Sequence, residues 1–258
     1  MRHGGVRRRA LLAAPALLLA AGAKPVPAAT PISRLDTPWW RERHASKLEE
    51  LRAHPPELVF LGDSITENFE HTNIPPGQDF AAVWQHFYGD RHAINLGFKG
   101  DATAHLLWRI THGELDNIAP KAVVILIGAN NLGHLHWSAE DTVQGIAAIV
   151  AEIRRRLPAT KILLLGVLPS ERTAWATQAT LEINRALAAK YAAFPNVTYI
   201  DVGPIFLRNG TVDRALFYDP QLKPSEPPLH PTAAGMARIA AAIEPTLAGM
   251  LGDKARAA

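Results

Sequence analysis

The sequence predicts an α/β fold in which a parallel sheet is wound on both faces by helices, and three observations predict it. Five short apolar runs recur, at 57–61, 92–96, 122–127, 161–166 and 197–201, nearly continuous rather than alternating, as strands buried on both faces are. Helical stretches separate them, at 78–88, 102–116, 138–157 and 173–193, which implies right-handed β–α–β crossovers. Polar motifs follow each of the first three runs, at the carboxyl ends of strands where sites form in such sheets.

In chain order, Arg2, Arg7, Arg8 and Arg9 precede an apolar run at 10–23 that ends in Ala21-Gly22-Ala23. This is the pattern of an export signal over residues 1–23, with a later cut after Ala28 or Ala29 as a variant, and it predicts a periplasmic or secreted protein. The other reading is a retained anchor, but the run falls short of the ~20 apolar residues a bilayer span needs. Residues 24–55 read as a Pro-rich linker or extended segment (24–37) followed by a helix (38–53) whose Trp39 and Trp40 cap the core. Residues 56–252 then form one α/β domain, closed by a last helix at about 231–250 with Pro231 in its first turn.

The chain has 258 residues, 48% of them hydrophobic, enough for one domain with a sizeable core. It has no cysteine, which excludes disulfides, thiolate catalysis and cysteine-based zinc sites. Its net charge of +3 comes from the leader: without those four arginines, 23 basic residues face 24 acidic ones, a net charge of −1. Nothing global attracts nucleic acid.

The strand-end motifs carry the chemistry. Gly62-Asp63-Ser64 follows the first run, placing Ser64 where a strand turns into a helix. A serine needs a base to become a nucleophile, and His230, in a Pro-rich loop before the last helix, is the candidate. Acyl transfer also needs donors for a developing oxyanion. The backbone N–H of Ser64, the backbone N–H of Gly100 and the side-chain amide of Asn130 are available at the three strand ends. Each motif alone also reads as an ordinary turn; their joint placement predicts one pocket. His134 and His136 form an H-x-H pair without an evident third ligand, so no metal site is expected. Trp108, Trp137 and Trp175 read first as packing residues, with a sugar- or acyl-binding face as the alternative, and Arg154-Arg155-Arg156 as a helix end.

The blocks VFLGDSIT (59–66), NLGFKGDAT (95–103) and IGANN (127–131), with His230 and its following helix, resemble the SGNH (GDSL-like) hydrolase superfamily over roughly 56–250. Within it they are closest to the platelet-activating-factor acetylhydrolase catalytic-subunit type, which bacterial acetylesterases share. The resemblance implies a flavodoxin-like three-layer α/β/α sandwich with a five-stranded parallel sheet. It implies a serine esterase with Ser64 as nucleophile, His230 as base and then acid, Gly100 and Asn130 with Ser64 as the oxyanion hole, and no cofactor. One position departs from the family. Its D-x-x-H pattern would put an aspartate at 227, where this chain has Pro227. Asp219 displaced by a looped-out insertion, Glu226, or a serine–histidine dyad without an acid remain open, with Asp219 favoured over Glu226. The expected function is an exported esterase for short-chain, acetyl-type esters on carbohydrate or lipid, with a small-molecule or glycan ester as partner and no stable membrane insertion once the leader is cut. The rival motivated by Pro227 is a catalytically weak or inactive carbohydrate-binding protein of the same fold. A nucleotide-binding flavodoxin-like domain is disfavoured, because neither a G-x-x-x-x-G-K-[ST] nor a G-x-G-x-x-G pattern is present.

Overall fold

A computed structural model describes Met1 and residues 26–257; apart from Met1, the leader expected over 1–23 lies outside the described residues. Each apolar run becomes a strand: β1 (Leu58–Gly62), β2 (Ala93–Gly97), β3 (Ala122–Leu126), β4 (Lys161–Leu165) and β5 (Val197–Ile200). All five pair in parallel, in the order β2-β1-β3-β4-β5.

The continuity of the runs has a direct cause, because alternate residues serve different helical layers. Val59, Leu61, Val123, Ile125, Ile162 and Leu164 join a cluster with α4 (Thr103–Thr111), α6 (Ala139–Arg156) and α7 (Ala174–Tyr191). Leu58, Phe60, Val124, Leu126, Leu163 and Leu165 join another with α3 (Phe80–Tyr88) and α8 (Ala233–Leu251). Neither face is left for water, so neither position can be polar. The result is a flavodoxin-like α/β/α sandwich.

β1 and β2 run one residue further than the apolar pattern suggests and end on glycine. A Cβ at Gly62 would lie 2.6 Å from Leu126 O, and one at Gly97 would collide with Glu67 N. Bare backbone there lets α2 (Ser64–Glu67) fold closely over the strand ends. The helix expected over 102–116 stops at Thr111, and the chain turns through Gly113 at φ +110. Pro231 is not in the first turn of α8. Thr232 is the N-cap, its hydroxyl accepting from Gly235 N at 3.1 Å, while Pro231 pairs with Phe217 in an antiparallel bridge. A hairpin of β6 (Leu207–Arg208) and β7 (Thr211–Val212) was not anticipated; it turns on Asn209 and Gly210, both at positive φ.

Residues 26–37 pack along the α4–α6 side. Ala28 is fully buried, Thr103 Oγ1 donates to Ala28 O at 2.8 Å, and Ile32 N donates to Ala104 O at 3.1 Å. In α1 (Pro38–Ala53), Trp40 is wholly buried against Phe98, Trp108 and His44, whereas Trp39 stays half-exposed. Among the described residues, no helix is long and apolar enough to cross a membrane.

Candidate active site

Ser64 opens α2, directly after β1. Asp63 caps that helix, its Oδ1 accepting from Ile65 N at 3.0 Å, which leaves the Ser64 hydroxyl at the strand's carboxyl end. Ser64 Oγ lies 3.0 Å from His230 Nε2. His230 Nδ1 lies 2.6 Å from Asp219 Oδ1. The other oxygen, Oδ2, accepts from Leu229 N at 2.9 Å and His230 N at 2.6 Å. Hydroxyl, imidazole and carboxylate therefore stand in series. Of the carboxylates left open by the sequence, Asp219 reaches the ring. Glu226 is exposed on the intervening loop, where its backbone N donates to Asp219 O. The residues between Asp219 and His230 loop out, so Pro227 does not occupy the place of an acid. Tyr218 lies face to face with His230, centroids 5.3 Å apart and planes within 7°, and its hydroxyl accepts from Asn68 Nδ2 at 3.4 Å.

The loops after β2 and β3 bring the remaining predicted residues alongside. Asp101 N donates to Phe98 O, closing a turn with Gly100 at φ +74 in its third position, a site that favours glycine. Asn130 lies in the short α5 (Ala129–Gly133). Its Nδ2 donates to Asp101 O at 2.9 Å and lies 3.5 Å from Asp63 Oδ2, so it is fixed to the Gly100 loop. Its neighbour Asn131 belongs to the scaffold: Oδ1 accepts from Thr103 N, and Nδ2 donates to Thr103 Oγ1.

Beneath these loops lies a polar foundation that the sequence did not announce. Asp101 is fully buried and accepts from Trp40 Nε1 at 2.8 Å, Arg109 Nε at 2.8 Å and Arg34 at 3.0 Å. Arg109, also fully buried, donates to Glu114 at 2.5 Å and lies 3.9 Å from the centroid of the Phe98 ring. His44 Nδ1 stands 3.3 Å from Glu114. Burial alone would lower the Arg109 pKa, but Glu114 and Asp101 together raise it. Burial would likewise raise that of Glu114, yet Arg109 and His44 hold it low. Glu67 supports the loop from the other side, accepting from Lys99 N at 2.5 Å.

A cleft of about 640 Å³ opens over Ser64, His230, Gly100 and Asn130. His134 lines it, and its imidazole is pushed down by burial and then by Arg172 and Arg34. His136 instead lies near Trp175, ring centroids 6.2 Å apart. Trp108, Trp137 and Trp175 are not among the cleft's lining residues; Trp108 stacks on His112 and packs against Trp40. Arg154 donates to Thr160 O and Pro158 O, satisfying carbonyls beyond the end of α6. Desolvation raises the buried Asp63 carboxyl to about 6.

The sequence matches the model of the GDSL-like Lipase/Acylhydrolase family over residues 60–238, a span that holds Ser64, Gly100, Asn130, Asp219 and His230. It is 32% identical over 182 residues to the human platelet-activating factor acetylhydrolase IB subunit alpha1, covering 70% of this chain and 74% of that one. In fold it is similar to a GDSL-like lipase from Bacteroides thetaiotaomicron, with a TM-score of 0.61, 20% identity, and 81% of this chain and 97% of that one covered. It is also similar to a carbohydrate acetylesterase family member from Sinorhizobium meliloti, with a TM-score of 0.54, 19% identity, and 76% and 98% covered.

Proposed function

The chain belongs to the GDSL-like lipase/acylhydrolase family, whose members are carboxylic ester hydrolases, and on that footing we propose that it is an exported serine esterase for short-chain, acetyl-type esters on carbohydrate or lipid. The observation that carries this reading is the series Ser64 Oγ, His230 Nε2 at 3.0 Å, and Asp219 Oδ1 at 2.6 Å from Nδ1, open to a cleft.

In this reading Ser64 Oγ attacks the ester carbonyl while His230 Nε2 takes its proton. Asp219 holds Nδ1–H, which leaves Nε2 as the basic nitrogen and offsets the charge of the imidazolium as it forms. The tetrahedral oxyanion is met by Ser64 N–H, Gly100 N–H and the Asn130 amide, which turns to it from its long 3.5 Å contact with Asp63 Oδ2 while keeping its bond to Asp101 O. The two backbone donors are fixed before reaction, so stabilising the charge needs little reorganisation. His230 returns the proton to the leaving alcohol. Water then attacks the acyl carbonyl, giving a proton to the same nitrogen; as the bond to Ser64 Oγ breaks, His230 returns that proton to Oγ and the acid leaves. The acetyl-type acyl group is supported by the 32% identity to a protein named as an acetylhydrolase. Export is supported by the Arg-rich start and the apolar run ending at Ala23. Asp219 beside the ring favours turnover over the inactive binding protein that Pro227 motivated.

Hydrolysis of p-nitrophenyl acetate, butyrate and octanoate, with Ser64→Ala as control, tests the proposal. The expected result is turnover of acetate well above octanoate, lost in Ser64→Ala, and covalent labelling of Ser64 by a fluorophosphonate. Folded protein that neither turns over these esters nor takes the label would sink it.

A further inference from the structure

The walls of the cleft differ in charge. One wall is built from Tyr218 and from Asn68, His71, Ile74 and Pro75, with Ile74 63% exposed and His71 Nε2 3.9 Å from Glu67. The loops after β2 and β3 contribute Lys99 and His134 beside Gly100 and Asn130. Lys99 is exposed, its Nζ 4.7 Å from the centroid of the Trp39 ring, and it pairs with no carboxylate among the described residues. Behind it, Arg34 donates to Lys99 O and lies where a Cβ at Gly100 would be 3.4 Å from its NH1. Arg172 is half-buried and bonds only neutral acceptors, Ser170 Oγ at 3.2 Å and Ala129 O at 2.7 Å, again with no carboxylate partner among the described residues. The one carboxylate lining the cleft, Glu67, is 7% exposed and accepts from Lys99 N. Arg34 is answered by Asp101 at 3.0 Å, and Arg172 faces the Asp63 and Asp219 carboxylates without bonding either, so among the described residues the unanswered positive charge on this wall is that of Lys99.

We infer that the wall beside Gly100 and Asn130 is a subsite for an anionic group, carboxylate or phosphate, carried by the alcohol portion of the ester, with Lys99 as its contact. The inference rests on the esterase reading in assigning the group to the alcohol side: a short acyl chain has no atoms to spare for reaching Lys99, so the leaving alcohol is the part that extends there. His134 fits the same wall as a neutral donor, since burial and the neighbouring cations hold its imidazole below the usual range. The anion gains from both attraction and orientation. An exposed charge pair of this kind gives about 0.2–1 kcal/mol, which corresponds to about 1.4- to 5-fold in kcat/KM.

Three matched aryl acetates test it on the full chain: 4-acetoxybenzoate, 4-acetoxyphenyl phosphate and the neutral 4-acetoxybenzamide. The reading is the ratio of kcat/KM for each anionic ester to that for the neutral one, which cancels any common loss. The ratio is expected to fall about 1.4- to 5-fold in Lys99→Gln, further in Lys99→Glu, and with added salt in the unaltered protein, since screening reaches ~10 Å at 0.1 M. A fall for only one anion tells whether carboxylate or phosphate is preferred. The second readout is calorimetric binding of the same esters to Ser64→Ala, where anion preference is expected to depend on Lys99. Turnover with a ratio indifferent to Lys99 and to salt overturns the subsite and keeps the esterase. Absent turnover with Lys99-dependent anion binding overturns the esterase and keeps the subsite, and neither signal overturns both.

Discussion

Asp219 grips His230 twice: Oδ1 meets ring Nδ1 at 2.6 Å, and Oδ2 accepts from the backbone N of the same residue at 2.6 Å, across eleven positions of chain. One carboxylate thus orients the imidazole and closes the loop that carries it. The Leu229 N–H adds a third bond, so the loop from 220 to 228 can lengthen outward without moving the ring.

Replacing this acid removes both functions. Asp219→Asn is expected to lower kcat by about 10²–10⁴ with a small change in KM, as loss of the orienting acid does in serine hydrolases. Glu226→Gln is expected to stay within about twofold of the unaltered protein, being an exposed surface change. Steady-state kinetics on both variants decide between them; a loss at Glu226 as large as that at Asp219 would refute the assignment.

Asn130 offers a neutral donor whose position is set by Asp101 O. Asn130→Ala is expected to lower kcat by about 10²–10³, the cost of one oxyanion donor, while KM moves little. Because the same amide ties two loops together, thermal unfolding accompanies the kinetics. A variant that loses stability but keeps kcat would make Asn130 a structural tie alone.

The strands were legible to within a residue because burial on both faces writes a continuous apolar run, which chance rarely supplies at five regular intervals. Ser64, Gly100, Asn130 and His230 were legible as a set because the fold's strand ends converge. The acid was not, since choosing between Asp219 and Glu226 depends on the path of a loop rather than on spacing. The foundation under the site was hidden for another reason: Arg109 and Glu114, five positions apart in a helix and its following turn, look like a solvated face until Asp101 and His44 close over them. The β6–β7 hairpin did carry a signal, since Asn-Gly at 209–210 favours a two-residue turn.

Asp63 makes stability depend on pH. Its carboxyl is raised from 3.8 to about 6 in the folded chain, chiefly by burial, so the folded state holds a proton that the unfolded state releases. Its contribution is fully present below about pH 4 and is lost as pH rises through about 6. At about 1.4 kcal/mol per pKa unit, the loss is on the order of 2–3 kcal/mol. Asp63→Asn keeps an acceptor for Ile65 N and cannot ionise. The difference in unfolding free energy between Asp63→Asn and the unaltered protein is therefore expected to shift in favour of the variant by that amount between pH 4 and pH 7. Denaturant titrations across that range measure it, and a difference that stays flat would contradict the burial argument.

The Arg109 cluster tests whether the foundation is a coupled unit. Arg109 sits wholly buried between Asp101 and Glu114. Arg109→Met leaves buried Glu114 with His44 alone and takes one of the donors from Asp101, and is expected to cost about 3–5 kcal/mol. Glu114→Gln keeps the shape but removes one charge, leaving Arg109 with Asp101 and His44 without its carboxylate. In the double variant the stranded charge at 114 no longer exists, so its cost should fall short of the sum of the singles by at least about 1 kcal/mol. Asp101 remains held there by Arg34 and Trp40, which keeps the Gly100 turn folded and lets the double variant be measured. Denaturant unfolding of the four proteins completes the cycle. Strict additivity would mean that the two ion pairs stabilise the platform independently, and that the charges beneath the Gly100 loop do not act together.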